Sequence, residues 1–166
     1  MLKPIKKPQA RSTSSHRFAI VASRYNARYV DAMLRAAKKT LHHAGAAEVK
    51  VVRVPGAFEI PVVAAALACR TESPFAAILC LGVILRGETT HAQHIAEAVS
   101  QALTQIQIQH GVPVIHEVLL LEKEAQAKAR CLDRRHNRGT EAAMTGLTMA
   151  EVMTIMNTRA NHTSDK

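Results

Sequence analysis

Between two polar ends, the chain alternates short apolar runs with longer amphipathic stretches. Apolar runs at 17–23, 49–54, 76–85 and 113–120 predict four β-strands, of which the third is apolar throughout. Stretches at 27–44, 58–69, 90–110, 122–132 and 140–156 predict five helices, and Gly45 and Gly111 fall where helix C-caps would lie. Strands that alternate with helices predict an α/β domain with a three-layer α-β-α architecture around a four-stranded parallel sheet.

The two ends of the chain do not follow this pattern. Residues 1–16 are rich in lysine, arginine, proline and serine, which predicts a flexible basic arm. Residues 157–166 are polar as well, and they predict a flexible C-terminal tail. The folded domain is therefore expected over residues 17–156.

Composition narrows the classes of partner. A formal charge of +9 favours anionic ligands such as phosphorylated metabolites or nucleic acid. Nucleic acid is an unlikely partner, because the chain has no Trp and only two Tyr for base stacking, and its basic residues are scattered apart from the arm and a cluster at 128–138. No apolar run approaches the roughly 20 residues of a membrane span, and no signal-peptide core follows the basic N-terminus.

The cysteines indicate a reducing compartment. Cys69, Cys80 and Cys131 form no CxxC pair, and an odd number without regular spacing is typical of reduced thiols. We therefore expect a cytoplasmic protein without a structural metal.

Ligands of open parallel sheets bind beyond the carboxyl ends of the strands, which selects three loops. The loop at 86–91 is the most informative of them. Glu88 and Thr89 would lie at a helix N-terminus, where free N–H groups bind anions. His91 follows in the first turn, where it could transfer protons near neutral pH. The alternative is that a threonine only caps the helix and His91 is an ordinary surface residue.

The other two loops add rings and a carboxylate. In the loop at 55–59, Phe58 and Glu59 lie where the next helix begins. Phe58 could contact a ligand ring, and Glu59 could accept hydrogen bonds from its N–H groups. Alternatively, Phe58 could form a hydrophobic staple, and Glu59 could be an acid that stabilises the helix N-terminus. Tyr25 offers an aromatic face in the loop at 23–26, and Asn26 could be a simple N-cap. Because all three loops should meet at one sheet edge, their convergence favours a binding site.

The motifs resemble those of the lumazine synthase family, also called the beta chain of riboflavin synthase. They are SRYN at 23–26, VPGAFEIP at 54–61, LGVILRGETTH at 81–91, GVPVI at 111–115 and NRGTEAA at 137–143. The resemblance covers roughly residues 17–155, and VPGAFEIP together with RGETTH is highly specific. It implies a flavodoxin-like fold and a homopentamer with active sites between adjacent subunits. It also implies condensation of 5-amino-6-(D-ribitylamino)uracil with 3,4-dihydroxy-2-butanone 4-phosphate to 6,7-dimethyl-8-ribityllumazine, without a metal or redox cofactor.

The resemblance also assigns site residues. One subunit would supply most of the substrate-binding residues, which are Tyr25, Ala57, Phe58, Glu59, Ile84, Leu85, Glu88 and Thr89. Of these, Tyr25 would cover the pyrimidine ring, while Glu88 and Thr89 would bind phosphate through backbone N–H groups. His91 would be the catalytic, proton-transferring residue.

The neighbouring subunit would supply His116, Arg130 and Arg138, and Arg130 would steady the departing phosphate. Here the chain departs from the family pattern. His116 and Glu117 stand where the family usually has Phe and Gly, and Arg138 stands where lysine is common. Glu141 matches a family acid that could pair with Arg130.

Two other functions are consistent with the sequence. His91 and His94, flanked by Glu88 and Glu97, have a spacing that can hold zinc in a metal-dependent hydrolase. Alternatively, the change at His116 is compatible with a non-catalytic assembly protein of the same family, whose basic arm would bind an acidic partner.

Overall fold

The structure is a computed structural model that describes residues 15–163. Its sheet contains β1 (Arg17–Ser23), β2 (Glu48–Val54), β3 (Ala77–Leu85) and β4 (Val114–Leu121). All pairings are parallel, in the order β2-β1-β3-β4. This is the order of flavodoxin-like sheets, and the predicted three-layer α/β fold is confirmed.

Five α-helices connect and follow the strands. They are α1 (Ala27–His43), α2 (Ile60–Ala68), α3 (His91–His110), α4 (Glu124–Ala127) and α5 (Arg138–Thr163). Gly111 ends α3 with φ +62°, a left-handed conformation that glycine adopts without strain, as its position predicted. Within the described range, no helix is long and apolar enough to cross a membrane.

Two helix predictions were wrong in detail. The helix expected over 122–132 is one α-helical turn, α4, followed by a π-helical turn at Lys128–Leu132. The helix expected over 140–156 runs from Arg138 to Thr163, so the beginning of the predicted tail at 157 is helical. A helix already nucleated can continue through polar residues without apolar periodicity, which explains the second error. Residues 1–14 of the predicted arm and 164–166 of the tail lie outside the described residues.

The helices form one layer on each face of the sheet. One apolar core joins α1 and α5 to side chains such as Phe18, Ile20 and Leu79. The other joins α2 and α3 to the alternate strand residues, such as Val21 and Ile78. Because β1 and β3 are covered on both faces, their sequences are apolar at consecutive positions.

Strand β4 forms one edge of the sheet. Its last residue, Leu121, pairs with Leu85 at the end of β3.

The beginning of α5 packs tightly against α1. Gly139 lies so close to α1 that a Cβ there would overlap the backbone carbonyl of Met33. The close approach fixes where α5 begins, and with it the position of Arg138.

Candidate active site

The loop after β1 is held by hydrogen bonds to two neighbouring segments. The N–H of Arg24 donates to the carbonyl of Val54 at 2.8 Å, and the N–H of Tyr25 donates to that of Pro55 at 3.0 Å. Asn26 has φ +54°, and its side-chain amide donates to the carbonyl of Val83 at 2.7 Å. Asn26 stands at the N-cap position of α1, but it makes no side-chain capping bond. Its amide instead connects the loop to β3.

The loop after β2 lies beside the first loop and exposes an aromatic ring. Glu59 Oε2 accepts a hydrogen bond from the N–H of Gly56 at 2.8 Å, and a Cβ at Gly56 would lie 3.9 Å from the Tyr25 ring. Ala57 is buried beneath this turn, whereas 61% of Phe58 and 74% of Tyr25 remain exposed. Large aromatic side chains this exposed provide apolar surface that a planar ligand could cover.

The loop after β3 carries the predicted phosphate site. Ile84 is buried and Leu85 half-buried at the end of the strand, and residues 86–91 are exposed. Helix α3 begins at His91, whose N–H lies 3.4 Å from Thr89 Oγ1. Glu88 and Thr89 therefore directly precede the free N–H groups of a helix of 20 residues, where an anion would be stabilised.

Arg86 holds this third loop in place. Its guanidinium is 2.9 Å from Glu122 Oε1 and 2.6 Å from Gln93 Oε1, and its N–H donates to the carbonyl of Leu121 at 2.9 Å. These contacts link the loop to the end of β4 and to the first turn of α3. Arg86 was not among the site residues predicted from the sequence.

The three loops therefore meet at one edge of the sheet. Most of the predicted site residues lie on them or at the strand ends beside them, namely Tyr25, Ala57, Phe58, Glu59, Ile84, Leu85, Glu88, Thr89 and His91. Together they present two rings, a carboxylate, a histidine and the N-terminus of α3.

The remaining predicted residues lie elsewhere in the same chain. His116 is five positions before Leu121 on β4, which is about 16 Å along a strand from the carboxyl edge. Its Nε2 is 2.9 Å from Ser100 Oγ on α3. Arg130 is exposed in the π-helical turn, and such turns occur frequently at functional sites. Within one subunit, His116 is therefore remote from the three loops.

Arg138 is held by two carboxylates. Its Nε is 2.6 Å from Oε1 of Glu117, and its Nη1 is 2.6 Å from Oε2 of Glu141. The Glu117 side chain is only 5% exposed. Burial raises the pKa of the Glu117 carboxyl, and the hydrogen bond and charge of Arg138 oppose that rise. Arg130 also lies near enough to favour the charged form of Glu117.

Comparison with known proteins identifies the family. A sequence model described as 6,7-dimethyl-8-ribityllumazine synthase matches residues 15–154. A 6,7-dimethyl-8-ribityllumazine synthase of Stenotrophomonas maltophilia (strain R551-3) is 43% identical over 145 residues, which cover 86% of this chain and 92% of that protein. One from Xanthomonas campestris pv. campestris (strain B100) is 40% identical over 142 residues, covering 84% and 91%. The chain belongs to the 6,7-dimethyl-8-ribityllumazine synthase family.

Family membership confirms the resemblance drawn from the motifs. The sequence offered Arg130 as a partner for Glu141, but in this lumazine synthase family member Glu141 pairs with Arg138. The two residues are three positions apart near the beginning of α5, so they share one face of the helix. That spacing is visible in the sequence and could have identified the pair.

The metal-hydrolase alternative gains no support from the geometry. Among residues 15–163, no group of three or more His, Cys, Asp or Glu side chains is arranged to hold a metal ion. His91 and His94 are both exposed in the first turn of α3.

Two contacts of this lumazine synthase family member were not predicted from the sequence. Ser100 contacts His116, 16 positions away in the sequence. Glu117 contacts Arg138, 21 positions away. Neither contact has a local sequence signal, because each depends on which helix packs against β4.

Proposed function

We propose that this chain condenses 5-amino-6-(D-ribitylamino)uracil with 3,4-dihydroxy-2-butanone 4-phosphate to form 6,7-dimethyl-8-ribityllumazine. The observation that carries the proposal is that, in a chain of this family, the loops bearing VPGAFEIP and RGETTH lie side by side at one sheet edge. Hydrogen bonds from Arg24 and Tyr25 to the second loop and from Asn26 to β3 hold these parts together.

The pyrimidine would bind between exposed rings and the end of β3. Tyr25 and Phe58 offer the apolar faces, and Ile84 and Leu85 offer backbone groups. Glu59 would meet the ribityl chain, because its second oxygen remains available beside the one that accepts from Gly56. A planar heterocycle would cover the exposed aromatic area and orient its amine toward the third loop.

The second substrate is a phosphate ester, and the beginning of α3 suits it. The N–H groups near Glu88 and Thr89 would bind the phosphate, which would place the ketone beside His91. The amine must then attack the ketone, water and phosphate must leave, and a ring must close. His91 would transfer the protons, and much of the rate would come from holding two substrates in register.

The site is proposed to lie between adjacent subunits of a homopentamer. His116 is about 16 Å from the loops of its own chain, so it would have to reach the loop cluster of a neighbour. Arg130 is exposed in the π-helical turn and would enter the same neighbouring site as His116. There it would stabilise the departing phosphate through charge-assisted hydrogen bonds. Arg138 would join them while it remains bound to Glu117 and Glu141.

A cytoplasmic location is proposed with this activity. The cysteines are free thiols, with Cys80 and Cys131 buried and Cys69 exposed. Unpaired thiols are compatible with a reducing compartment.

The direct test is to mix both substrates with purified protein and to follow the fluorescence of the lumazine above the uncatalysed background. His91→Ala should slow turnover by roughly 10²-fold. His94→Ala is the matched control, because His94 is exposed in the same turn of α3, and its turnover should be unchanged. Arg130→Ala should raise the KM for the phosphorylated substrate, whereas Arg135→Ala, which removes an exposed arginine of the following segment, should not.

The size of the assembly must be measured in the same samples. A pentamer that gives turnover in the wild type and loses it in His91→Ala would support the proposal. Folded, pentameric protein without turnover would refute it and favour the non-catalytic assembly function.

A further inference from the structure

His116 makes a specific contact that a stacking residue would not need. Its side chain is exposed on the edge strand β4, and it lies on the face of the sheet that α3 covers. The ring Nε2 is 2.9 Å from Ser100 Oγ. The same hydroxyl donates to the carbonyl of Ala96, one turn earlier in α3, at 2.7 Å.

Both contacts can be hydrogen bonds at the same time in only one arrangement of protons. A serine hydroxyl has one hydrogen, and the carbonyl of Ala96 can only accept it. In that arrangement Nε2–H of His116 donates to Ser100 Oγ. A neutral imidazole carries one N–H, so Nδ1 of His116 is left with its lone pair and acts as a hydrogen-bond acceptor.

We propose that Ser100 is a positioning residue that holds His116 in the Nε2–H tautomer and so presents Nδ1 as an acceptor to an N–H group of the pyrimidine substrate. The substrate contact rests on the function proposed above, with His116 entering the site of a neighbouring subunit, whereas the tautomer does not. The uracil ring and its amino substituents are rich in N–H donors. His116 can then fix the orientation of the ring through a hydrogen bond at its edge, which the phenylalanine usual in this family cannot do.

The substrate part is tested by the affinity for the pyrimidine alone, measured by calorimetric titration of the assembled protein with 5-amino-6-(D-ribitylamino)uracil. Ser100→Ala should weaken binding by about two- to tenfold, the range for one hydrogen bond. Ser100→Thr keeps the hydroxyl and its bond to the preceding turn, so it should bind like the wild type. In a His116→Phe background, Ser100→Ala should have no further effect.

The tautomer part is tested by ¹⁵N NMR of the histidine rings. Wild-type protein in mildly alkaline buffer should show His116 as the Nε2–H form, with its signal assigned by its loss in His116→Phe. Ser100→Ala should show a mixture of the two tautomers, while Ser100→Thr should restore the single form. The ring of His16, which is near Thr154 on α5, serves as an internal control that should not change.

The outcomes separate this inference from the proposed function. A mixture of tautomers in the wild type, or an equal loss of affinity from Ser100→Ala in both backgrounds, would overturn the inference. Intact coupling between Ser100 and His116 in a protein that binds the pyrimidine but gives no lumazine would support the inference and refute the proposed reaction. Failure of the wild type to bind the pyrimidine would overturn the proposed reaction and the substrate part of the inference, and the NMR spectra would still decide the tautomer part.

Discussion

Arg138→Met would leave a carboxylate buried without its cation. The Glu117 side chain is 5% exposed, and its Oε1 is 2.6 Å from Arg138 Nε. Methionine fills much of the same space but has no donor. Removing one partner of a buried ion pair destabilises a protein by about 3–5 kcal/mol. We expect the lower end, about 3 kcal/mol, because the Arg138 side chain is itself 27% exposed and water can enter in its place.

Glu141→Gln is the matched control. Glu141 lies at the same 2.6 Å from the same guanidinium, but its side chain is 44% exposed. Exposed ion pairs contribute little, so the free energy of unfolding should fall by less than about 1 kcal/mol. The double variant Glu117→Gln with Arg138→Met removes the buried charge along with its partner, so it should recover most of the loss caused by Arg138→Met alone.

The effect of Arg138→Met should depend on pH. Burial raises the pKa of Glu117 above its ordinary 4.5, and removing Arg138 raises it further because that guanidinium opposes the rise. A carboxyl whose pKa is higher in the folded state destabilises the protein only when it is ionised. The loss is therefore absent below the unfolded pKa and grows as pH rises through the folded pKa. Arg138→Met should be less destabilising at about pH 5 than at about pH 7.5.

Urea unfolding, followed by circular dichroism, measures these differences. The subunit concentration must be equal in all samples, because assembly of the subunits would couple to their folding. The reasoning fails if Arg138→Met and Glu141→Gln lose equal stability. It also fails if the loss in Arg138→Met is the same at both pH values.

Two further predictions concern backbone positions, and the same unfolding assay checks both. Gly139→Ala should destabilise by about 3 kcal/mol or more, since its Cβ would overlap the backbone of Met33. At Gly146, on the same helix, the nearest atom to an added Cβ is a side-chain methyl of Leu79 at 3.1 Å rather than backbone. Gly146→Ala should therefore lose clearly less stability than Gly139→Ala, and equal losses would contradict the close-approach argument. Asn26→Ala should lower the free energy of unfolding by about 1–3 kcal/mol, because it removes the side-chain hydrogen bond and places alanine at a positive φ. Asn26→Gly should lose less, because glycine tolerates the positive φ and only the hydrogen bond is removed. A larger loss for Asn26→Gly would contradict this account.

Local pattern was sufficient to predict most of the architecture. The apolar runs located the four strands of the described residues. For β1 and β3 the reason is that a strand buried on both faces must be apolar at consecutive positions. In a parallel sheet the loops after the strands lie at the same edge, so the position of the candidate site could be predicted without knowing where any side chain lies. Family membership, which the motifs indicated, is confirmed by the comparisons. Helix ends were less predictable, as α5 shows by continuing through polar residues to Thr163.

The amino-acid sequence by itself determined the layered fold, the edge at which the loops gather and the residue types found there. Only the tertiary structure decided that Arg138 is held by Glu117 and Glu141, that Ser100 contacts His116, and that His116 lies far from the loops of its own chain. The physical reason is that periodicity and turn chemistry act over a few neighbouring residues. Partners such as Ser100 and His116 meet only when the sheet has its register and α3 has packed against β4.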